Sequence, residues 1–244
     1  DLPAWPALAG TEQEGRQLTP LLGGRGVISG PAATAAVVLA QRSPRILHIA
    51  THGFFLADQP AAATGGGEGS LLSVFTPASR GAGAGPAGGT PSSGSATGPA
   101  DPLQRSGLVF AGANRPAADP SEDGYLTAAE ATGMELEGTE LVTLSACETG
   151  LGGARSGEGV YGLQRALAVA GARSTLLSLW KVDDGATVRF MESYYTRLRA
   201  GEGRAEALRH TQEEFRNHRN SAYNDIRVWG AFQLSGDWRP LPGW

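Results

Sequence analysis

Two apolar stretches decide the fold: residues 45–51 (RILHIAT) and residues 140–146 (ELVTLSA). Each is short and predominantly apolar, which is consistent with a strand that is buried on both faces. The first is followed at once by His52, and the second by Cys147. Because reactive groups collect beyond the carboxyl ends of parallel strands, we expect both residues on loops at one edge of the sheet. If the two strands are neighbours, the imidazole and the thiol share one cleft.

Helical patterns alternate with these strands and with further apolar runs at residues 174–180 and 229–234. Helices are expected over residues 12–22, 184–198 and 204–218, and Thr127 with Glu130 forms a capping-box pattern that opens another. The alternation predicts an α/β fold with a mostly parallel sheet.

The bulk composition excludes several classes of function. The 244 residues carry 20 Lys and Arg against 24 Asp and Glu, a net charge of -4, so no electrostatic footprint for direct nucleic-acid binding is present. No segment approaches the roughly 20 apolar residues of a membrane span. The single cysteine excludes an internal disulfide and a multi-cysteine zinc site. No ligand cluster suggests a metal or another cofactor.

Between residues 59 and 102, the sequence is dominated by Gly, Ala, Ser, Pro and Thr. Such a segment buries too little apolar surface to offset the entropy of ordering it. We predict a disordered insert within a single domain that spans residues 1–244.

His52 and Cys147 together suit nucleophilic chemistry. A free thiol has a pKa of roughly 8.5, so an adjacent imidazole is needed to raise the thiolate fraction near neutrality. The same imidazole can later protonate a leaving amine. The backbone N–H groups of Gly53 and Cys147 are candidates to stabilise an oxyanion.

Six motifs occur in order along the chain: ILHIATHGFF (46–55), LVFAGAN (108–114), DGYLTAAE (123–130), LSACETGLG (144–152), GEGVYGL (157–163) and SLWKVDD (178–184). Together they resemble the CHAT family of caspase-like cysteine peptidases, which often follow TPR repeats. The resemblance implies a three-layer α/β/α sandwich of clan CD, with His52 and Cys147 as catalytic residues. It also implies an oxyanion hole at the Gly53 and Cys147 N–H groups.

By analogy with caspases, the resemblance places Ser145, Trp180 and Asp183 around the substrate. Asp183 is alternatively the N-cap of the following helix, since Asp is a preferred N-cap residue. Glu148 either orients His52 or faces solvent. His48, four residues before His52, is expected to be a core histidine with satisfied hydrogen bonds.

Caspase-like folds usually begin with a strand that ends just before a segment resembling residues 1–3, so we expect that first strand to be missing here. The resemblance implies a cytoplasmic endopeptidase that cleaves protein or peptide substrates and is regulated by an upstream TPR-like domain. The alternatives are a catalytically silent caspase-like interaction module, and a thiol acyltransferase or ligase with the same two residues.

Overall fold

The computed structural model describes residues 4–23, 26–56, 102–115, 123–151 and 158–244. The insert predicted over residues 59–102 lies outside these ranges except for Pro102, and so does most of the glycine-rich segment at 150–159. The single-domain organisation and the missing first strand stay predictions.

Within the described ranges, six strands form one mixed sheet in the order β3-β2-β1-β4-β5-β6. The central strands β1, β4 and β5 run parallel, whereas β2, β3 and β6 join through antiparallel pairings. The α/β class with a parallel core is therefore confirmed. The strands are β1 (Ile46–Leu56), β2 (Ser106–Val109), β3 (Tyr125–Thr127), β4 (Leu141–Leu151), β5 (Ser174–Ser178) and β6 (Phe232–Gly236).

Helices cover both faces of the sheet and complete three layers. They are α1 (Ala9–Leu18), α2 (Ala35–Leu39), α3 (Ala128–Ala131), α4 (Glu158–Val169), α5 (Asp184–Arg199), α6 (Arg204–Arg216) and α7 (Ile226–Trp229). Consecutive strand residues divide between the layers: Leu141 packs among side chains of α1, α5 and α6, whereas Val142 packs among those of α3 and α4. This alternation explains why apolar residues are found on both faces of the central strands. None of the helices in the described ranges is long and apolar enough to cross a bilayer.

The two central strands are longer than the sequence predicted. β1 continues past His52 because β2 pairs antiparallel with its second half, from His52 opposite Val109 to Phe55 opposite Ser106. β4 continues past Cys147 and pairs with β1 along its whole length. The prediction that His52 and Cys147 lie on loops is therefore wrong, since this pairing keeps both residues within strands.

Hydrogen bonds to side chains mark the first turns of α3 and α1. Thr127 Oγ1 accepts a hydrogen bond from Glu130 N at 3.1 Å, and a Glu130 carboxylate oxygen accepts one from Thr127 N, so the predicted capping box is confirmed. Helix α1 begins at Ala9, earlier than the predicted 12–22, because Asp184 of α5 accepts a hydrogen bond from Gly10 N. The helix ends at Leu18, four residues earlier than predicted, and Thr19 follows as its C-cap with its N–H bonded to the Gly15 carbonyl.

Candidate active site

His52 and Cys147 occupy adjacent positions on two parallel strands. In the ladder between β1 and β4, His52 is aligned with Cys147, and Ala50 with Ser145. Neighbouring strands are spaced about 4.8 Å apart, so this register brings the backbones of His52 and Cys147 side by side.

The imidazole of His52 is anchored by the segment that precedes α1. Only 9% of His52 is exposed, and its Nε2 lies 2.7 Å from the carbonyl oxygen of Pro6. The Trp5 ring packs on it with 5.4 Å between ring centroids. Because a carbonyl oxygen only accepts hydrogen bonds, Nε2 carries a proton, and the lone pair of the neutral ring is on Nδ1.

The other ring nitrogen of His52 is the chemically available one. Nδ1 is buried and has no hydrogen-bond partner among the side chains that the structure describes. The side chain of Cys147 is not among the described ones. A buried polar atom left unpaired costs about 1–3 kcal/mol, so an unpaired Nδ1 is a feature that calls for a function. The arrangement can accept a proton at Nδ1 while Nε2 stays bound to Pro6.

Gly53 follows His52 within β1. It is buried, aligned with Leu108 on one side and with Glu148 on the other. The assignment of the Gly53 and Cys147 N–H groups to an oxyanion hole stays a prediction. The orientation of Glu148 is also untested, because its side chain lies outside the described part of the structure.

Ser145, predicted to line the substrate pocket, is bound to a buried carboxylate. Its Oγ donates a hydrogen bond to Glu14 Oε2 at 3.1 Å. Glu14 comes from α1 and is only 3% exposed. Its second oxygen, Oε1, lies 3.1 Å from His48 Nε2. The structure thus places a buried carboxylate next to the residue two positions before Cys147.

His48 extends this polar network away from the candidate site. Its Nδ1 lies 3.0 Å from the Tyr195 hydroxyl, which donates in turn to Thr143 Oγ1 at 2.7 Å. Burial raises the pKa of Tyr195 well above its ordinary value, so the phenol stays protonated. The prediction that His48 is a core histidine with satisfied hydrogen bonds is confirmed.

Trp180 and Asp183, both predicted to border the substrate, follow β5. The Trp180 indole is 37% exposed, and its N–H donates to the Arg227 carbonyl at 2.8 Å. Asp183 is the N-cap of α5 and accepts a hydrogen bond from Ala186 N at 3.1 Å. The N-cap interpretation of Asp183 is confirmed, while substrate contacts of Trp180 and Asp183 stay predictions.

Sequence reasoning missed Trp5, Pro6 and Glu14. For Glu14 a signal exists, because it lies four residues before Leu18 on α1 and residues four apart share a helix face. Both residues are buried, so Glu14 belongs to the apolar side of its helix. For Pro6 the local sequence holds no signal, since its role depends on a histidine that lies 46 residues away.

Comparison with known proteins identifies one family. The family model of the CHAT domain matches residues 2–237, nearly the whole chain. None of the curated proteins matches the sequence.

Proposed function

The chain belongs to the CHAT family, which is caspase-like, and on this premise we propose that it is a cysteine endopeptidase with Cys147 as nucleophile and His52 as general base. One observation carries the proposal: His52 is in register with Cys147, anchored through Nε2 and unpaired at Nδ1. An imidazole held in this way can take a proton only at Nδ1, on the side that the anchor leaves unused.

The first half of the reaction forms an acyl-enzyme. His52 Nδ1 takes the proton of the Cys147 thiol, and the thiolate sulfur attacks the carbonyl carbon of the scissile peptide bond. The carbonyl electron pair moves onto oxygen, where the N–H groups of Gly53 and Cys147 are proposed to receive it. As the oxyanion collapses, the C–N bond breaks, and the imidazolium returns the proton to the leaving amine.

The second half restores the enzyme. Water enters after the amine leaves, His52 Nδ1 takes one of its protons, and the resulting hydroxide attacks the thioester carbon. Collapse of this second oxyanion breaks the C–S bond. The thiolate leaves and recovers its proton from the imidazolium. Throughout both halves, the Pro6 carbonyl accepts from Nε2 and stabilises the charged ring.

Substrate contacts are proposed at Ser145, Trp180 and Asp183. Ser145 lies beside the nucleophile position, and the exposed indole of Trp180 offers apolar surface to an extended peptide. We further propose a cytoplasmic location and control by an upstream TPR-like domain, because an unregulated endopeptidase would damage its own cell.

Hydrolysis of a peptide library tests the proposal. Wild type is compared with Cys147→Ala, His52→Gln and, as a matched control, His218→Gln at a histidine that follows the end of α6. We expect Cys147→Ala to abolish cleavage and His52→Gln to lower kcat/KM by about 100-fold to 10,000-fold, the usual contribution of general base catalysis. His218→Gln should retain wild-type turnover.

The products of the same assay separate the alternatives. Hydrolysis yields two free peptide termini, whereas a transferase or ligase joins the acyl group to an added amine. Cleavage that persists in Cys147→Ala would contradict the proposed nucleophile. Absence of any turnover or transfer in wild type would favour a silent interaction module.

A further inference from the structure

Asn114, the last residue of the LVFAGAN motif, holds the main chain of Trp5 with both ends of its carboxamide. Its Oδ1 accepts a hydrogen bond from Trp5 N at 2.8 Å, and its Nδ2 donates to Trp5 O, also at 2.8 Å. The two residues are 109 positions apart in sequence. A side chain that satisfies both main-chain groups of one residue fixes the position and the direction of that backbone.

The Trp5 side chain is held at a second point. Its indole N–H donates to the Tyr125 hydroxyl at 3.0 Å, and both residues are buried. Burial raises the pKa of Tyr125, so the phenol is neutral and its oxygen is available as an acceptor. Tyr125 belongs to the DGYLTAAE motif, so two motifs without a role in the proposed chemistry converge on Trp5.

The constraint on Trp5 passes to His52 through a single residue. Pro6 follows Trp5, and the ring of a proline fixes its own φ near -65° while keeping the preceding residue extended. The position of Trp5 therefore places the Pro6 Cα and carbonyl carbon, and the rotation about the Pro6 Cα–C bond sets the direction of the carbonyl oxygen. That carbonyl accepts the hydrogen bond from His52 Nε2 at 2.7 Å.

We propose that Asn114 is a positioning residue for His52, which acts through the Trp5–Pro6 main chain to keep the Pro6 carbonyl on Nε2. Asn114 does not touch the reacting atoms. It is exposed, so its side chain contributes little to core packing, and we expect its substitution to leave the fold intact. The catalytic meaning of this inference rests on the proposed function, because a fixed ring orientation matters only where Nδ1 is used.

Nitrogen NMR of the histidine rings tests the inference without requiring activity. Spectra of ¹⁵N-histidine protein are recorded at about pH 8.5, where histidine is ordinarily neutral, and the His52 signals are assigned by their loss in His52→Gln. Wild-type His52 is expected as the Nε2–H tautomer. In Asn114→Ala, the ratio of Nδ1–H to Nε2–H at His52 should rise about fivefold, the order that one net hydrogen bond supports.

Two further variants define the mechanism. Asn114→Asp can still accept from Trp5 N but cannot donate to Trp5 O, so its tautomer ratio should be intermediate. Asn224→Ala is the matched control, because Asn224 is also exposed and donates to a main-chain carbonyl, that of His218. It should change the His218 signals and leave those of His52 in place.

An unchanged His52 tautomer in Asn114→Ala, or a wild-type ring that is not Nε2–H, would overturn the inference. In the peptide assay, positioning predicts that Asn114→Ala lowers kcat about fivefold with little change in KM, since one hydrogen bond is lost at a distance from substrate. A chain without peptidase activity but with the tautomer change would refute the proposed function alone. An active chain in which Asn114→Ala leaves the His52 tautomer ratio unchanged would refute the positioning role alone.

Discussion

Glu14 of α1 and His48 of β1 are paired inside the protein, with 3.1 Å between Glu14 Oε1 and His48 Nε2. Only 3% of the Glu14 side chain and 9% of the His48 side chain are exposed. The second carboxylate oxygen of Glu14 accepts from Ser145 of β4. This one carboxylate therefore fastens a helix to both strands that hold the candidate active site.

Removal of the Glu14 carboxylate should be strongly destabilising. Glu14→Ala leaves His48 Nε2 and the hydroxyl of the half-buried Ser145 without this partner, so we expect a loss of about 3 kcal/mol in the free energy of unfolding. Urea denaturation measures it. Glu12→Ala on the same helix is the control, because Glu12 is 63% exposed in its pair with Arg16 and should lose less than about 0.5 kcal/mol. Equal losses in the two variants would contradict the buried pairing.

Gly10 marks a close approach between α1 and α5. A Cβ at this position would lie 2.3 Å from the Asp184 Cβ, which is far below van der Waals contact. Gly10→Ala should therefore separate the helices and weaken the hydrogen bond from Gly10 N–H to Asp184. We expect a loss of about 2 kcal/mol in the free energy of unfolding. Gly26→Ala, where a Cβ would meet nothing within 4 Å, should leave the thermal midpoint unchanged. A neutral Gly10→Ala would show that the two helices are not packed this closely.

Arg204 is a fully buried cation at the start of α6. It pairs with Glu140 before β4 and lies 3.3 Å from Asp237 Oδ2 after β6. Arg204→Met would remove the buried partner of both carboxylates and leave Glu140 only with Arg173 and Asp237 only with Arg239, whose side chains are mostly exposed. We therefore expect a loss of about 3 kcal/mol in denaturant unfolding. Arg209→Met on the same helix removes a cation that is 55% exposed and should lose less than about 1 kcal/mol. Similar losses would mean that the buried charges are not coupled.

Asp237 makes the free energy of unfolding depend on pH. Hydrogen bonds from the Arg239 side chain and backbone, together with the charge of Arg204, lower the pKa of Asp237 below its ordinary 3.8. A carboxylate whose pKa is lowered by folding stabilises the protein above its unfolded pKa, and this contribution is lost as pH falls through the folded value. As pH falls from 6 toward the lowered pKa of Asp237, the free energy of unfolding should therefore decrease less in Asp237→Asn than in wild type. Urea unfolding at each pH measures this difference. Parallel curves would contradict this role of Asp237.

Sequence patterns predicted the structural elements that depend on contacts between residues close in sequence. The Thr127–Glu130 capping box and the Asp183 N-cap were visible in sequence, because each involves residues three positions apart. The neighbouring strands before His52 and Cys147 were visible as predominantly apolar runs, because both of their faces are covered by helices.

The features that sequence patterns did not predict depend on contacts between residues that are distant in sequence. β1 continues past His52 because β2, more than fifty residues later, pairs with it. The Pro6 carbonyl meets His52, and Asn114 meets Trp5, only after the sheet has formed. Glu14 is a charged residue on an amphipathic helix, and its burial depends on His48 and Ser145 from two different strands.

The most direct test of the central claim is the pH dependence of Cys147 carbamidomethylation by iodoacetamide. Cys147 is the only cysteine in the sequence, so intact mass reports its modification without ambiguity. If His52 activates the thiol, wild type at about pH 6.5 should react at least tenfold faster than His52→Gln, and the two rates should converge near pH 9.5, where thiols ordinarily ionise unaided. Equal rates in the two proteins across this range would contradict a working pair of His52 and Cys147.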